Sequence, residues 1–246
     1  MQKLFAGTSG FAYKQWKGPF YPEGLPDAKM LSFYGEHFSS VEINNTFYRM
    51  PKEKVLRDWA AAVPDGFRFV LKASRQITHI KRLKEASPVE YFLKVAAALE
   101  QKRGPFLFQL PPNMKKDLDR LRTFLSWLPR DARAALEFRH ESWHDEDVFA
   151  ALREHNAALC IAQPEEEEGA LQTPFVATAD WAYLRLRKVA YGAGELEQWA
   201  DRICEPAWGD VFVFFKHEDE GTGPKLAKQF ESIVALRERA NPLRNR

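Results

Sequence analysis

Phe106-Leu107-Phe108-Gln109-Leu110, then Leu118, Leu121, Phe124, Leu125 and Leu128 ahead of Pro129, then Arg133-Ala134-Ala135-Leu136-Glu137-Phe138, is the stretch that decides the fold. Two short apolar runs flank one amphipathic helical stripe. Runs of that length read as strands, and the helix between them returns the chain so that the strands lie parallel. The same alternation extends in both directions. Further strands are expected at residues 4–8, 40–44, 67–72, 157–162, 181–186 and 211–215. Pro51 opens a helical pattern with Val55, Leu56, Trp59 and Val63 on one face. Ser87-Pro88-Val89-Glu90 reads as a capping box with proline at the first helical position, followed by a stripe of Tyr91, Phe92, Val95, Ala96 and Leu99 and a stop at Gly104. Later patterns are Val148/Phe149/Leu152, Leu196/Trp199/Ile203 and Leu226/Phe230/Ile233/Val234.

Strand–helix alternation over eight strands predicts an α/β chain closed as a single (β/α)8 TIM-like barrel, one domain over residues 1–246. No Gly-rich phosphate loop or dinucleotide fingerprint follows any strand, which argues against an open doubly wound sheet. One crossover breaks the pattern. Gln163-Pro164, the acidic run from Glu165 to Glu168, Gly169 and Thr173-Pro174 show no amphipathic period, so the helix after the sixth strand is expected to be irregular or missing. The acidic run reads as a solvated face.

A hydrophobic content of 45% and a charged content of 28%, with 7 Trp and 19 Phe, describe a globular protein with a substantial core rather than a disordered chain. The formal net charge is only +2, which gives no bulk electrostatic case for nucleic acid or an anionic membrane. Cys160 and Cys204 have neither CxxC spacing nor the density of a disulfide framework, so both are expected as reduced thiols. No signal-like leader and no run of ~18 apolar residues is seen, so a cytoplasmic location is expected.

Side chains alternate faces along a strand. Val41 and Ile43 are expected to face the helices while Glu42 and Asn44 point into the barrel; Leu136 and Phe138 alternate in the same way with Glu137 and Arg139, and Leu184 and Leu186 with Tyr183, Arg185 and Arg187. Lys72, Gln109 and Lys216 close three further strands. These polar residues gather at the C-terminal strand ends, where barrel enzymes place their chemistry. Lys72, Arg139, Arg185, Arg187 and Lys216 against Glu42 and Glu137 leave a pocket charge of +3, which favours a phosphate or carboxylate. The competing expectation is that these charges pair internally.

Gly7-Thr8-Ser9-Gly10-Phe11, Phe20-Tyr21-Pro22, Val41-Glu42-Ile43-Asn44-Asn45-Thr46-Phe47-Tyr48, Phe108-Gln109-Leu110-Pro111-Pro112 and Glu137-Phe138-Arg139-His140-Glu141-Ser142-Trp143 together resemble the domain of unknown function 72 family, also called YecE-like. The resemblance implies a TIM-like barrel and no established reaction, cofactor or substrate. It is strongest from Thr8 to Arg139. Beyond the fifth strand, Gln163, Arg187-Lys188 and Lys216-His217 stand where the family pattern has an Asp, a His-Gly and Asn residues. The resemblance thus implies that any function resting on those groups is altered here.

Glu42 and Glu137 are candidates for an acid/base pair, one ionised and one kept protonated by a raised pKa. Lys72 is either a Schiff-base nucleophile, which requires desolvation, or an anion contact. Thr8 and Ser9 are candidate hydroxyl and N–H donors to an anion, or a tight turn. Tyr13, Tyr48 and Trp143, with Trp16, Tyr21 and Phe47, flank the site and either stack on a ring or pack against loops. Arg75, Lys81, Arg82 and Lys84 add a basic stretch after the third strand. Asn44, Gln109, Arg139, Arg185, Arg187 and Lys216 complete the expected substrate contacts. His79, His140, His144 and His217 with the two glutamates are suitable metal donors, but they form no compact motif, so no cofactor and no metal is expected. The reading is an enzyme (hydrolase, lyase or isomerase) acting on a small anionic molecule, and the alternative is a non-catalytic anion or nucleic-acid binder with a degenerate site.

Overall fold

The computed structural model describes residues 2–163, 171–192, 194–216 and 219–240. Its strands are β1 (Lys3–Thr8), β2 (Ser40–Ile43), β3 (Arg68–Lys72), β4 (Arg103–Gln109), β5 (Ala134–Glu137), β6 (Ala158–Gln163), β7 (Trp181–Leu186) and β8 (Asp210–Phe215). All ladder pairs are parallel, in the order β1-β8-β7-β6-β5-β4-β3-β2. Between them run α1 (Met30–His37), α2 (Glu53–Ala61), α3 (Ser87–Ala96), α4 (Leu118–Ser126), α5 (Glu146–Glu154), α6 (Glu195–Cys204) and, after β8, α7 (Thr222–Ala240). The result is a nearly closed barrel with helices outside. Of the irregular crossover after β6, the acidic run lies outside the described residues, and residues 171–180 carry no helix.

Alternation along the strands builds two cores. Val41, Ile43, Phe69, Leu71, Phe106, Phe108, Leu136, Leu184 and Val213 face the helices. Phe5, Val70, Leu107, Ala135, Ala158, Cys160, Trp181, Tyr183, Phe212 and Phe214 fill the interior. The interior is lopsided by design of the sequence: β5 and β6 supply Ala135, Ala158 and Cys160, so the aromatic rings of β1, β7 and β8 reach across without overpacking. Phe5 stacks on Phe212 with centroids 4.6 Å apart. Each such ring, fully buried, contributes ~1.5–3 kcal/mol over its exposed state.

Closure occurs between β1 and β2, where one parallel bridge, Ser9 to Glu42, replaces a full ladder. A Cβ at Gly7 would stand 2.0 Å from the Ser40 carbonyl oxygen, so only glycine lets the two strands approach this closely. The Tyr34 hydroxyl, from α1, stitches the same seam: it accepts from the Thr8 N–H at 2.9 Å and donates to the Ser40 carbonyl at 3.1 Å.

α1, for which no sequence pattern was read, buries Met30, Leu31, Tyr34 and Gly35 on one face. Two local expectations are corrected. Tyr91 points outward with 60% exposure, because α3 turns Val89, Phe92 and Val95 to the core instead. Ser87 makes no capping hydrogen bond; the N-cap is Ala86, and Pro88 at the helix start tolerates this by lacking an N–H.

Tyr34→Phe should keep the ring in place but strand the seam's polar groups. We expect a loss of about 1–3 kcal/mol in urea denaturation, and an unchanged midpoint would remove Tyr34 from the closure argument.

Candidate functional site

Register sets the site. Gln109 of β4 pairs with Glu137 of β5, Ala162 of β6 pairs with Arg185 of β7, and Ser9 bridges Glu42 of β2. The interior-facing side chains at this level are therefore polar, and the small Ala162 leaves room for a long neighbour. Arg185 extends between the two carboxylates. One of its terminal nitrogens donates to Glu137 Oε2 at 2.6 Å and the other to Glu42 Oε1 at 2.9 Å.

Every carboxylate oxygen of the pair is occupied. Glu42 Oε1 also accepts from Ser9 Oγ at 2.7 Å and Asn44 Nδ2 at 3.1 Å, while Oε2 accepts from the Tyr183 hydroxyl at 2.6 Å. Glu137 Oε1 accepts from Gln109 Nε2 at 2.8 Å and from Arg187, with Arg139 Nε 3.5 Å away. Glu42, Glu137, Arg185 and Arg187 are all buried.

The charge states follow. Burial alone would push Glu137 up, but Arg185, Arg187 and Arg139 together hold it far below the usual carboxylate range. Burial likewise opposes ionisation of Glu42, and Arg185 with the Tyr183 and Ser9 hydroxyls outweighs it. The expectation that one glutamate is kept protonated by a raised pKa is therefore corrected: both are driven towards the carboxylate. The thiol of Cys160, beneath them, is raised by burial and by Glu137.

Lys72 stands apart from this pairing. Its Nζ donates to the neutral Gln109 Oε1 at 2.8 Å and lies 4.5 Å from the centre of the Phe47 ring. Burial, then the charge of Arg185, lowers its pKa to about 8 against the pull of Glu137 and Glu42. His79 packs edge-on against the same Phe47 ring at 4.9 Å, and burial followed by the charge of Lys72 lowers its pKa. His79 sits on a π-helical turn, Gln76–Ile80, that precedes Arg82 and Leu83 at positive φ. Single π-turns recur at functional sites.

Other expected contacts separate. Thr8 Oγ1 donates to the Gly10 carbonyl, and the Ser9 and Gly10 N–H groups are used by Phe215 and by Glu42 with Thr8, so this strand end is a closed turn rather than an anion nest. Trp143 is fully buried, stacked on Phe138 with its indole N–H donated to Met114, and cannot touch a ligand. Tyr13 donates to the Ser9 carbonyl and packs on Trp16, while Trp16 and Tyr21 are core residues. Tyr48 remains at the rim with 73% exposure. Lys216 follows β8, its backbone N–H donated to Leu186. Gln163 accepts from the Tyr191 hydroxyl, Lys188 turns away to Glu195, and His217 lies outside the described residues. In the basic stretch after β3, Lys81 pairs with Glu85 and Arg82 donates to Asn113.

Among the described residues no three His, Cys, Asp or Glu side chains converge on a metal-sized space, and no helix is long and apolar enough to cross a membrane. Asn44 Oδ1 and the Nε atoms of Arg185 and Arg187 are buried without a partner among the described residues. Sequence reasoning had placed Tyr183 in the barrel without a role; its position two residues before Arg185 on the same strand face was the available signal. Phe47 was expected only as a flanking ring and His79 only as a metal donor; their contact with each other and with Lys72 had no strand register to reveal it.

These features define a parallel β/α barrel whose C-terminal strand ends enclose a buried carboxylate–guanidinium cluster with cationic groups above it. The chain belongs to the DUF72 family, described as a protein of unknown function, whose model matches residues 5–246. It is 25% identical to the UPF0759 protein YunF of Bacillus subtilis strain 168, over 88% of this chain and 90% of that protein. It is 34% identical over 112 residues to the UPF0759 protein YecE of Escherichia coli K12, covering 45% of this chain and 41% of YecE. The crystal structure of a DUF72 family protein from Thermotoga maritima MSB8 superposes with a TM-score of 0.83 at 26% identity, over 95% of this chain and 99% of that one. A second, from Enterococcus faecalis V583, shares the fold with a TM-score of 0.76 at 21% identity, over 96% and 98%.

Two measurements probe the cluster. Arg185→Met leaves two buried carboxylates facing each other and should lose about 3–5 kcal/mol of stability near neutral pH. Because the folded Glu137 pKa lies below its unfolded value near 4.5, its stabilisation is present above that pH and lost as the pH falls below it. Urea midpoints for Glu137→Gln should thus fall less steeply than wild type on the acid side; parallel acid limbs would contradict the ion-pair assignment.

Proposed function

We propose that the chain binds a small phosphate- or carboxylate-bearing molecule at the C-terminal face of the barrel and acts on it by proton transfer through Lys72 rather than through either glutamate. The observation that carries this reading is the saturation of all four carboxylate oxygens by protein donors. With Glu42 and Glu137 neutralising two charges among Lys72, Arg139, Arg185 and Arg187, the cluster keeps a surplus of +2 when Lys72 is protonated.

Arg139 is the natural anion contact. Its side chain is 39% exposed, and its 3.5 Å approach to Glu137 is long for a charge-assisted bond. Arg187, by contrast, is buried and bound to Glu137, which leaves Arg139 the more accessible fork for a ligand oxygen. Lys72, with a pKa of about 8, lies close enough to neutrality to give and take protons. Hydrolysis, elimination and isomerisation all use such a group.

Thermal unfolding with inorganic phosphate, sulfate, simple carboxylates and phosphorylated sugars tests the reading. A ligand at 100 times its dissociation constant should add ~2.7 kcal/mol. The shift should vanish in Arg139→Ala, whose half-exposed side chain leaves the buried cluster intact. Silence across all these anions, with steeply salt-dependent binding of a single-stranded oligonucleotide instead, would replace the small-molecule reading with a macromolecular one.

A further inference from the structure

The geometry points to Lys72 as a nucleophilic amine that condenses with the carbonyl group of an anionic aldehyde or 2-oxo acid to form a protonated imine at the barrel mouth. This rests on the anion-binding reading above for the charged end of the substrate. It adds the substrate's reactive group and a covalent step.

The arrangement around Lys72 differs from that of a structural ion-paired lysine. Among the described residues no carboxylate lies within ion-pair distance of Nζ, because Arg185 and Arg187 have taken Glu42 and Glu137. Its hydrogen-bond partner is instead the amide oxygen of Gln109. That amide is itself held in orientation by donating its N–H to Glu137. The acceptor thus fixes the direction of the amine without fixing its charge. The Phe47 ring face, 4.5 Å from Nζ, is a cation–π contact that favours the ammonium, and burial has to outweigh it.

The charged groups acting on Lys72 come from three strands: Arg185 on β7 and Arg139 after β5 disfavour the ammonium, while Glu137 on β5 and Glu42 on β2 favour it. Burial tips the balance, and the amine carries a far larger neutral fraction near neutral pH than an exposed lysine. A nucleophilic amine needs that lone pair.

The step balances without an added oxidant or reductant. The Nζ lone pair forms a C–N bond to the carbonyl carbon as the C=O π pair moves onto oxygen, which gains a proton as nitrogen loses one. The resulting carbinolamine takes up a proton on its hydroxyl and expels water, leaving a C=N bond with nitrogen positively charged. These proton transfers are assigned to His79, which packs on the same Phe47 ring and shares a hydrogen bond between Nδ1 and Thr78 Oγ1, and the substrate's anionic end to Arg139. The imine then withdraws electrons from the adjacent carbon, which favours proton removal or carbon–carbon cleavage there.

The full chain is incubated with glyoxylate, pyruvate or propionaldehyde, reduced with sodium borohydride, digested and mapped by mass spectrometry. The expected result is a dominant reduced adduct on the Lys72 peptide with the anionic carbonyls. Its yield should rise through about pH 8 and fall about tenfold or more in Arg139→Ala. Inorganic phosphate should protect Lys72 in the wild-type protein, so the assignment does not depend on a Lys72 variant folding; Lys72→Arg, where folded, should give no adduct. No adduct, or labelling spread equally over exposed lysines such as Lys54, overturns the imine. If phosphate still shifts the unfolding temperature in that case, the anion site stands without it. If propionaldehyde labels Lys72 as readily as glyoxylate and Arg139→Ala has no effect, the imine stands and the anion reading falls.

Discussion

Arg185 is a guanidinium with almost no contact with water, held between carboxylates that arrive from β2 and β5. Removing such a charge from solvent is strongly unfavourable unless it is paired and hydrogen-bonded with good geometry. The barrel meets that condition at the two terminal nitrogens by bringing two opposite charges to one fork, while Nε stays without a partner among the described residues. Once it does, the states of the other groups are constrained: the carboxylates must stay ionised, Tyr183 must donate rather than ionise, and Gln109 must present its amide N–H to Glu137 and its oxygen to Lys72. The polar layer is a consequence of satisfying one buried cation.

This layer also ties the site to closure of the fold. Glu42 is both a partner of Arg185 and the residue bridged by Ser9 across the β1–β2 seam, where the sheet lacks a full ladder. Ser9 Oγ reinforces the bridge from the side chain. The seam depends below on Gly7 and Tyr34 and above on the ion cluster. A change that unsettles Arg185 therefore weakens barrel closure as well as the mouth electrostatics.

The fold was largely legible because strand alternation is a local rule. The inward sides of Glu42, Glu137, Tyr183 and Arg185 follow from residues two apart sharing a face, and the eight strands lie within a few residues of their expected bounds. What pairs with what was not legible. Glu42 and Arg185 are 143 positions apart, and their meeting depends on barrel curvature and register, which no local pattern encodes. The same holds for α1: its eight residues, which mix Ser32, Gly35, Glu36 and His37 with the apolar ones, are too few for periodicity to mark, yet it carries the hydroxyl that joins the seam. Trp143 was left open between ligand stacking and packing for the opposite reason. It stands beside the site in sequence, but its stack on Phe138 turns it to the helix-facing core.

Clusters that combine matched charges with a single unmatched amine do more than stabilise. If Lys72 were paired with Glu137, each would fix the other as an ion and the site would be electrostatically inert. Glu137 is instead held by three arginines and Lys72 donates to a neutral amide, so the carboxylates' charge balance does not fix the charge of Lys72. Against its burial, the two glutamates raise the pKa of Arg185, which keeps its charge and anchors the local field. Lys72 then titrates within that fixed field, and the difference between its ammonium and amine forms becomes the property of the mouth most responsive to an incoming anion. An anion seated on Arg139 would offset part of the positive field that disfavours the ammonium, which opposes the neutral amine an imine needs and leaves burial, the largest cause, to maintain it.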